Sequence, residues 1–279
     1  MNLLGIDFED WFHPELIQQH ISGLDRTPTV VKGIDKILDW LRKNETFATF
    51  FVVGELLETK PEMLDKIIGN GHEIAFHTMH HSRIDSIDFK EKFTEEIKLF
   101  EKMTSKKSKG FRAPSFSLNH SSSWIIDVLL ENNYLYDSSV MPAKTRLYGM
   151  PNADVKPYRV SSSSLEQDDP TSKILEFPLL TTQLLGYNFP ACGGFYLRFL
   201  PLKIIERAIK NNMKKNIPAT FFIHSWELTP EFMPRINLPF SNNFITYHNI
   251  DKALLKMDSL IKKFEFTSFE RYISKNKIN

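Results

Sequence analysis

Two nearly identical runs, ATFFVV at 48–53 and ATFFIH at 219–224, set the tightest limit on how this chain can fold. Both are unbroken, β-prone and apolar, the pattern of a strand covered on both faces rather than one with a wet side. Each follows a stretch with helical spacing: Val30, Val31, Ile34, Ile37, Leu38 and Leu41 before the first, and Leu202 to Met213 before the second. Thr27 is expected to cap the earlier helix, with Pro28 in its first turn. The alternation recurs. A Pro61-led helix with Met63, Leu64, Ile67 and Ile68 ends at Asn70-Gly71 and gives way to a strand from Glu73 to Phe76. A helix with Phe93, Ile97 and Phe100 on one face leads to Gly110–Arg112, and another near Trp124 to Leu130 precedes Tyr134–Asp137. A last helix around Ala253 to Ile261 precedes Phe264–Phe269, and Asn2 to Asp7 opens the chain as a short apolar run ending in acids. Helices alternating with short buried strands imply parallel βα units, hence an α/β fold, as a barrel or an open doubly wound sheet. The likeness of the two runs suggests equivalent barrel strands, although six residues do not establish a repeat.

Polar residues fall repeatedly at predicted strand ends: Asp7 and Asp10, His77, Arg112, Asp137 and His224. In βα barrels that rim carries the chemistry. His77 and His81, in GHEIAFHTMHHS, are four apart and can face one way on a helical turn. Neutral imidazoles with one carboxylate make a three-ligand divalent-metal site with positions left for water and substrate. Asp7, Glu9 and Asp10 supply candidate carboxylates, although acids at a strand–helix junction also suit a helix N-cap cluster. His13, His72 and His80 are expected not to be ligands, with His80 in reserve. Arg112 also suits a structural ion pair and His224 a satisfied core histidine.

Composition narrows the partners. The net charge of +1 over 279 residues argues against nucleic acid held by bulk electrostatics. The single cysteine, Cys192, excludes an intramolecular disulfide framework and a cysteine metal site, and is expected to be a small filler. MNLLGIDFEDWFH lacks a basic n-region and is too short for a signal h-region, and no stretch approaches the ~18 apolar residues of a membrane span, so a cytoplasmic location is expected. The dispersed phenylalanines read as core packing. Residues 138–195 show little regular pattern and are read as a substrate-side elaboration in which LLTTQLLGY can pack. EKMTSKKSKG reads as a solvated helix end and loop.

In order, DFED (7–10), HTMHH (77–81), FRAPSFS (111–117), YDSSVMP (136–142) and FIHSWEL (222–228) resemble the polysaccharide deacetylase family, the NodB-homology enzymes of carbohydrate esterase family 4. LYGMPNA, EFPL, GGFYLR, PRINLPF and YHNIDKALLKMDSL resemble a subgroup associated with exopolysaccharide gene clusters. The resemblance implies a distorted (β/α)7 barrel and a single domain over 1–279, with an elaboration at about 138–217 and a C-terminal extension at about 229–279. It implies metal-dependent removal of N-acetyl groups, released as acetate, from an N-acetylhexosamine glycan or its lipid- or nucleotide-linked precursor, at the inner membrane face if the acceptor is there. Residue by residue, His77 and His81 match the metal-binding histidines, and Thr78 the hydroxyl that steadies their loop. Asp7 matches the base and Asp10 the acidic ligand. The family motif has adjacent acids where this chain reads Asp-Phe-Glu-Asp, so Glu9 is the alternative ligand if the strand stays regular. His224 matches the general acid, Arg112 the arginine that grips Asp7 in a charge-assisted fork, and Asp137 the carboxylate that tunes His224, although YDSSVMP departs from the usual motif. A backbone N–H near Ser115 would face the oxyanion, and Phe116 and Trp226 would wall the acetyl and sugar pocket. Zinc is the default metal, with cobalt, nickel or manganese able to serve. Two other readings stay open: an allantoinase-like hydrolase of another C–N bond, and a glycan-binding pseudoenzyme. The oligomeric state is not legible.

Overall fold

The computed structural model describes residues 1–105, 108–184 and 186–278. Strand β1 (Asn2–Phe8) is buried along its whole length. After the short α1 (Glu15–Gln18), helix α2 (Val30–Lys43) buries the predicted stripe of Val30, Ile34, Ile37, Leu38 and Leu41. Its start differs from expectation: the N-cap is Thr29 rather than Thr27. There follow β2 (Thr49–Val52), α3 (Gly54–Thr59), α4 (Glu62–Gly69), β3 (Glu73–Phe76), α5 (Phe89–Met103), β4 (Gly110–Phe111), α6 (Trp124–Glu131) and β5 (Tyr136–Asp137). The second half holds β6 (Tyr158–Val160), β7 (Ile174–Glu176), β8 (Thr181–Leu184), β9 (Tyr187–Pro190), α7 (Gly194–Phe199), α8 (Leu202–Lys214) and β10 (Thr220–His224). It closes with α9 (Ser225–Leu228), α10 (Phe240–Tyr247), α11 (Ala253–Ile261), β11 (Phe266–Thr267) and α12 (Phe269–Asn276).

The main sheet runs β10-β1-β2-β3-β4-β5-β7-β6, with β11 beside the start of β1. All neighbours are parallel except β6, which is antiparallel to β7. Seven parallel strands, β10 through β7, form a curled half-barrel sheet where a distorted (β/α)7 barrel was expected, the α/β class as expected. The two runs that limited the fold flank β1: Asp7 is opposite Phe51 on one side and His224 on the other. Among the described residues no ladder joins β7 to β10. The gap is spanned by Leu180 N–H donating to Thr220 O at 3.0 Å and by a bridge between Gly193 and Phe222. Gly193, at φ 147°, must lack a side chain, because a Cβ would lie 1.6 Å from Phe222 O.

Strand periodicity divides the core. Leu4, Ile6 and Phe8 of β1 join Phe50, Val52, Phe76 and Phe111 in the larger apolar cluster shared with the helices. Leu3, Phe51, Ala75, Tyr136, Leu175 and Phe177 form a separate cluster closed by Phe269 of α12, on which the Tyr136 ring stacks at 5.0 Å. The region from 138 is more regular than its sequence suggests. It contributes β6 to β9, and β7 is an integral sheet strand rather than an excursion. Strands of three or four residues among Ser, Pro and Gly are too short to show a period. Of LLTTQLLGY, Leu179 and Leu180 pack as expected, but Leu184 and Tyr187 are exposed; Cys192 is a buried filler. Leu185 of LLTTQLLGY and Lys106–Lys107 of the lysine-rich loop lie outside the described residues. Among those described, no helix is long and apolar enough to cross a membrane.

Candidate metal and catalytic site

At the C-terminal ends of β1 and β3, one ligand atom each from Glu9, His77 and His81 lies within 4.8 Å of the others, all three residues buried. His77 continues β3, and its Nδ1 donates to Arg112 O at 2.7 Å. A carbonyl can only accept, so Nε2 keeps its lone pair for a cation. Burial pushes the His77 imidazole down to about 4, which keeps it neutral. Four residues on, His81 has φ 53° and Thr78 has φ 58°, a region costly to residues with a Cβ. Thr78 Oγ1 accepts the Ser82 N–H at 3.1 Å, the steadying role expected of it.

Glu9 supplies the acid. Its Oε2 is 2.6 Å from His81 Nε2, yet the contact lacks hydrogen-bond alignment and this buried oxygen has no hydrogen-bond partner among the described residues. A buried carboxylate oxygen left unpaired is costly. The three donor atoms, all buried and within 4.8 Å of one another, are close enough to serve one cation. Two imidazoles and a carboxylate suit a divalent metal of the zinc type, so these residues fit the implied metal. Burial works against the Glu9 carboxylate, but His81, His224 and His77 together hold it below the usual carboxylate range.

Asp10, the first-choice ligand from sequence, is elsewhere. Its carboxylate accepts the N–H groups of Thr29 and Val30 at 2.5 and 2.7 Å, Trp11 N–H at 2.8 Å and Thr29 Oγ1 at 3.0 Å. It therefore caps α2, the helix-cap reading of the acid cluster. The reason is parity: on a regular strand Leu3, Gly5, Asp7 and Glu9 share one face, which leaves Asp10 on the other.

Arg112 reaches Asp7 as expected, Nη1 donating to Oδ1 at 2.6 Å. The grip has one prong rather than two, because Nε and Nη2 donate to Ser138 O and Oγ, both at 3.0 Å. The guanidinium also lies over the Phe51 ring at 3.9 Å. Gly5 makes room for it, since a Cβ there would be 2.6 Å from Arg112 Nη1.

His224 ends β10 with Nε2 3.8 Å from Glu9 Oε1. Its partner is Glu227 rather than the predicted Asp137: Nδ1 and Glu227 Oε2 are 2.6 Å apart. Glu227 Oε1 in turn accepts Arg198 Nε at 2.6 Å, and Arg198 is anchored on the carbonyls of Ile245 and His248. Burial disfavours a charged imidazole, but Glu227, with Glu9 and Asp7, holds His224 up at about 9. Burial likewise resists ionisation of Glu227, and Arg198 and His224 bring it down to about 2. Asp137 is occupied instead by Ser139 Oγ at 2.5 Å and by the carboxyl of Glu176. Burial pushes both acids of that pair up, Asp137 to about 6. The His-x-x-Glu spacing in FIHSWEL carried the signal for Glu227, a side chain folding back onto its own helix start. Nothing local marks Arg198.

A cavity of about 140 Å³ opens over Asp7, Glu9, His77, His81 and His224, and Ser115, Phe116 and Trp226 stand in its wall. Trp226 does more than line it. The indole stacks on His224 with centroids 4.7 Å apart and donates from Nε1 to Glu9 Oε1 at 2.9 Å. Phe116 packs edge-on against Phe222 and Tyr148. Ser115 and Phe116 both have positive φ, 52° and 48°. His13, His72 and His80 lie outside the metal group, as expected.

Residues 24–129 match the polysaccharide deacetylase family and residues 138–274 match DUF3473, a domain of unknown function. The chain is 30% identical over 171 residues to a peptidoglycan deacetylase-like protein of Gibberella zeae, covering 58% of this chain and 49% of that protein. It thus spans about half the length of that relative. A crystal structure of a Mycobacterium smegmatis protein assigned to the polysaccharide deacetylases superposes with a TM-score of 0.60 at 18% identity, covering 100% of this chain and 92% of that one. The PuuE allantoinase structure superposes at 0.52 with 13% identity, covering 95% and 85%. At these identities the likeness to the two structures is one of fold. His77, His81 and Arg112 fall in the first matched segment, and Arg198, His224 and Glu227 in the second. Through residues 24–129 the chain is similar to the polysaccharide deacetylase family.

Proposed function

We propose that this protein is a metal-dependent N-deacetylase of N-acetylhexosamine glycans, or of their lipid- or nucleotide-linked precursors, working in exopolysaccharide synthesis. The observation that carries the reading is the convergence on one cavity of a Glu9–His77–His81 ligand group, Asp7 gripped by Arg112, and His224 gripped by Glu227. We read residues 1–279 as one catalytic unit, because β7 and β10 of the second segment complete the sheet begun by the first.

Glu9, His77 and His81 would hold a divalent cation, zinc first, which supplies Lewis acidity toward the acetamide carbonyl and acidifies a water. Asp7 takes the proton of the attacking water, its carboxylate fixed in place by Arg112. The oxygen of that water bonds to the acetyl carbon, and the carbon–nitrogen bond breaks to give acetate and a free amine. Amines leave only when protonated, and His224, cationic near neutrality, supplies that proton from Nε2. Trp226 and Glu227 hold the imidazole in plane. The backbone beside Ser115 is assigned to the developing negative charge, and Phe116 to the apolar face of the sugar.

The test is acetate release from chitooligosaccharides and peptidoglycan glycan strands by zinc-loaded protein. Activity in wild type, lost in Asp7→Asn and His224→Ala, supports the reading. Glycan binding without acetate release would favour the pseudoenzyme. The fold likeness to an allantoinase makes allantoin the control substrate, and its hydrolysis without acetate release from glycans would favour the other C–N hydrolase.

A further inference from the structure

The His77–His81 loop is held in an unfavourable backbone conformation, with non-glycine residues at positive φ at both Thr78 and His81. Such a conformation persists only where its surroundings determine it. The neighbour that meets it on one side is the start of α3. Gly54 N–H donates to Thr78 O at 3.0 Å and Glu55 N–H to Met79 O at 2.9 Å. The approach is close enough that a Cβ on Gly54 would lie 2.2 Å from Met79 Sδ. The Glu55 side chain then reaches two histidines that the proposed chemistry does not use. Its Oε2 is 2.8 Å from His80 Nδ1, and its Oε1 is 2.5 Å from His13 Nε2. His13 Nδ1 accepts the backbone N–H of Asp10 at 2.8 Å, so Nε2 carries the proton and donates it to Glu55. The His13 ring also lies against His81, centroids 6.0 Å apart and planes 28° apart.

We infer that Glu55 is a positioning residue for the metal site: it ties the segment bearing Glu9 to the loop bearing His77 and His81, through His13 on one side and His80 on the other. One carboxylate with both oxygens engaged joins the two chain segments that supply the ligands. Asp10 N–H, His13, Glu55 and His80 form a continuous chain of hydrogen bonds from the end of β1 to the residue before His81. This assigns a role to His80, which sequence held in reserve as a ligand, and to His13. Partners that orient a ligand without touching the metal typically affect its affinity by about 10- to 100-fold.

The inference rests on Glu9, His77 and His81 holding a metal. It is tested by zinc affinity in a chelator competition, by the visible absorption of the cobalt-loaded protein, and by the melting temperature of the metal-free protein. The proteins are wild type, Glu55→Gln, which removes the negative charge that both histidines face, and His80→Ala, which removes a half-exposed side chain. The expected result is a dissociation constant raised about tenfold or more in Glu55→Gln and several-fold in His80→Ala. The cobalt bands should shift, while the metal-free melting temperature of His80→Ala stays at the wild-type value. Affinities within twofold of wild type in both variants, with unchanged cobalt bands, overturn it while leaving the metal site intact. If Glu55→Gln does not fold, His80→Ala decides alone. A wild type that binds no metal removes the site and this inference together.

Discussion

Replacing Glu227 by Gln separates an electrostatic role from a merely structural one. Glu227 Oε2 sits 2.6 Å from His224 Nδ1 and, opposing the effect of burial, keeps the imidazole at about 9. With the charge gone, the largest opposition to burial is lost and the value falls toward the ordinary 6.5. A general acid must be protonated. At pH 8 the protonated fraction would drop from about 0.9 to about 0.03, a loss of about 30-fold, whereas at pH 6 the loss would be less than about twofold. A cation at Glu9 lowers the value in both proteins, so the displacement between the two alkaline limbs is the observable, not either midpoint. The assay is acetate release from a chitooligosaccharide between pH 5.5 and 9.5. Stability moves in the same sense. A raised His224 pKa contributes stability that is complete below the unfolded value near 6.5 and is lost as pH rises through about 9, and Glu227→Gln should abolish that alkaline loss. The variant also leaves Arg198 buried without its counter-ion, a cost of about 3 kcal/mol that lowers the melting temperature at every pH. Equal losses of activity at pH 6 and pH 8 would refute the reasoning, because Glu227 would then act through folding alone.

Three further outcomes follow from the same geometry. Asp137→Asn should leave the alkaline limb of His224 and the metal content unchanged, and melting above pH 6 should be at or above wild type, because burial already pushes Asp137 up to about 6 beside Glu176. A downward shift of the limb would restore Asp137 as the partner of His224. Arg112→Lys should retain metal but lose turnover and about 3 kcal/mol of stability, since one ammonium cannot serve Asp7 and both Ser138 acceptors; calorimetry and single-turnover rates check this. Chelation of the metal should lower the melting temperature of wild type in proportion to the logarithm of free metal, and leave Glu9→Ala unaffected.

What the sequence made legible, and what it hid, divides by the range of the interaction. The β2, β3 and β10 strands and α2, α5 and α11 were readable because long apolar runs and helical stripes are local patterns. His77 and His224 were readable because they fall at the ends of β3 and β10, Arg112 because it follows β4, and His81 by its spacing from His77. Asp10 was misassigned because motif spacing was weighed above strand parity. β1 runs regularly through Phe8, so Glu9 continues the face of Asp7, and Asp10 falls to the side where the bare N–H groups of α2 wait. Asp137 was misassigned because its competitor, Glu176, comes from a three-residue strand with no detectable period. Arg198 was invisible for the same reason that it matters: its partners, Glu227, Ile245 and His248, lie 29 to 50 residues away, and only folding brings them to it.

The central claim is that Glu9, and not Asp10, completes a metal site with His77 and His81. Elemental analysis of zinc-reconstituted wild type, Glu9→Ala and Asp10→Ala tests it without any knowledge of the substrate. The account predicts about one divalent ion per chain in wild type and in Asp10→Ala, the latter destabilised by about 1–2 kcal/mol through its lost cap, and none in Glu9→Ala. Metal retained in Glu9→Ala and lost from Asp10→Ala, or absent from reconstituted wild type, would contradict it.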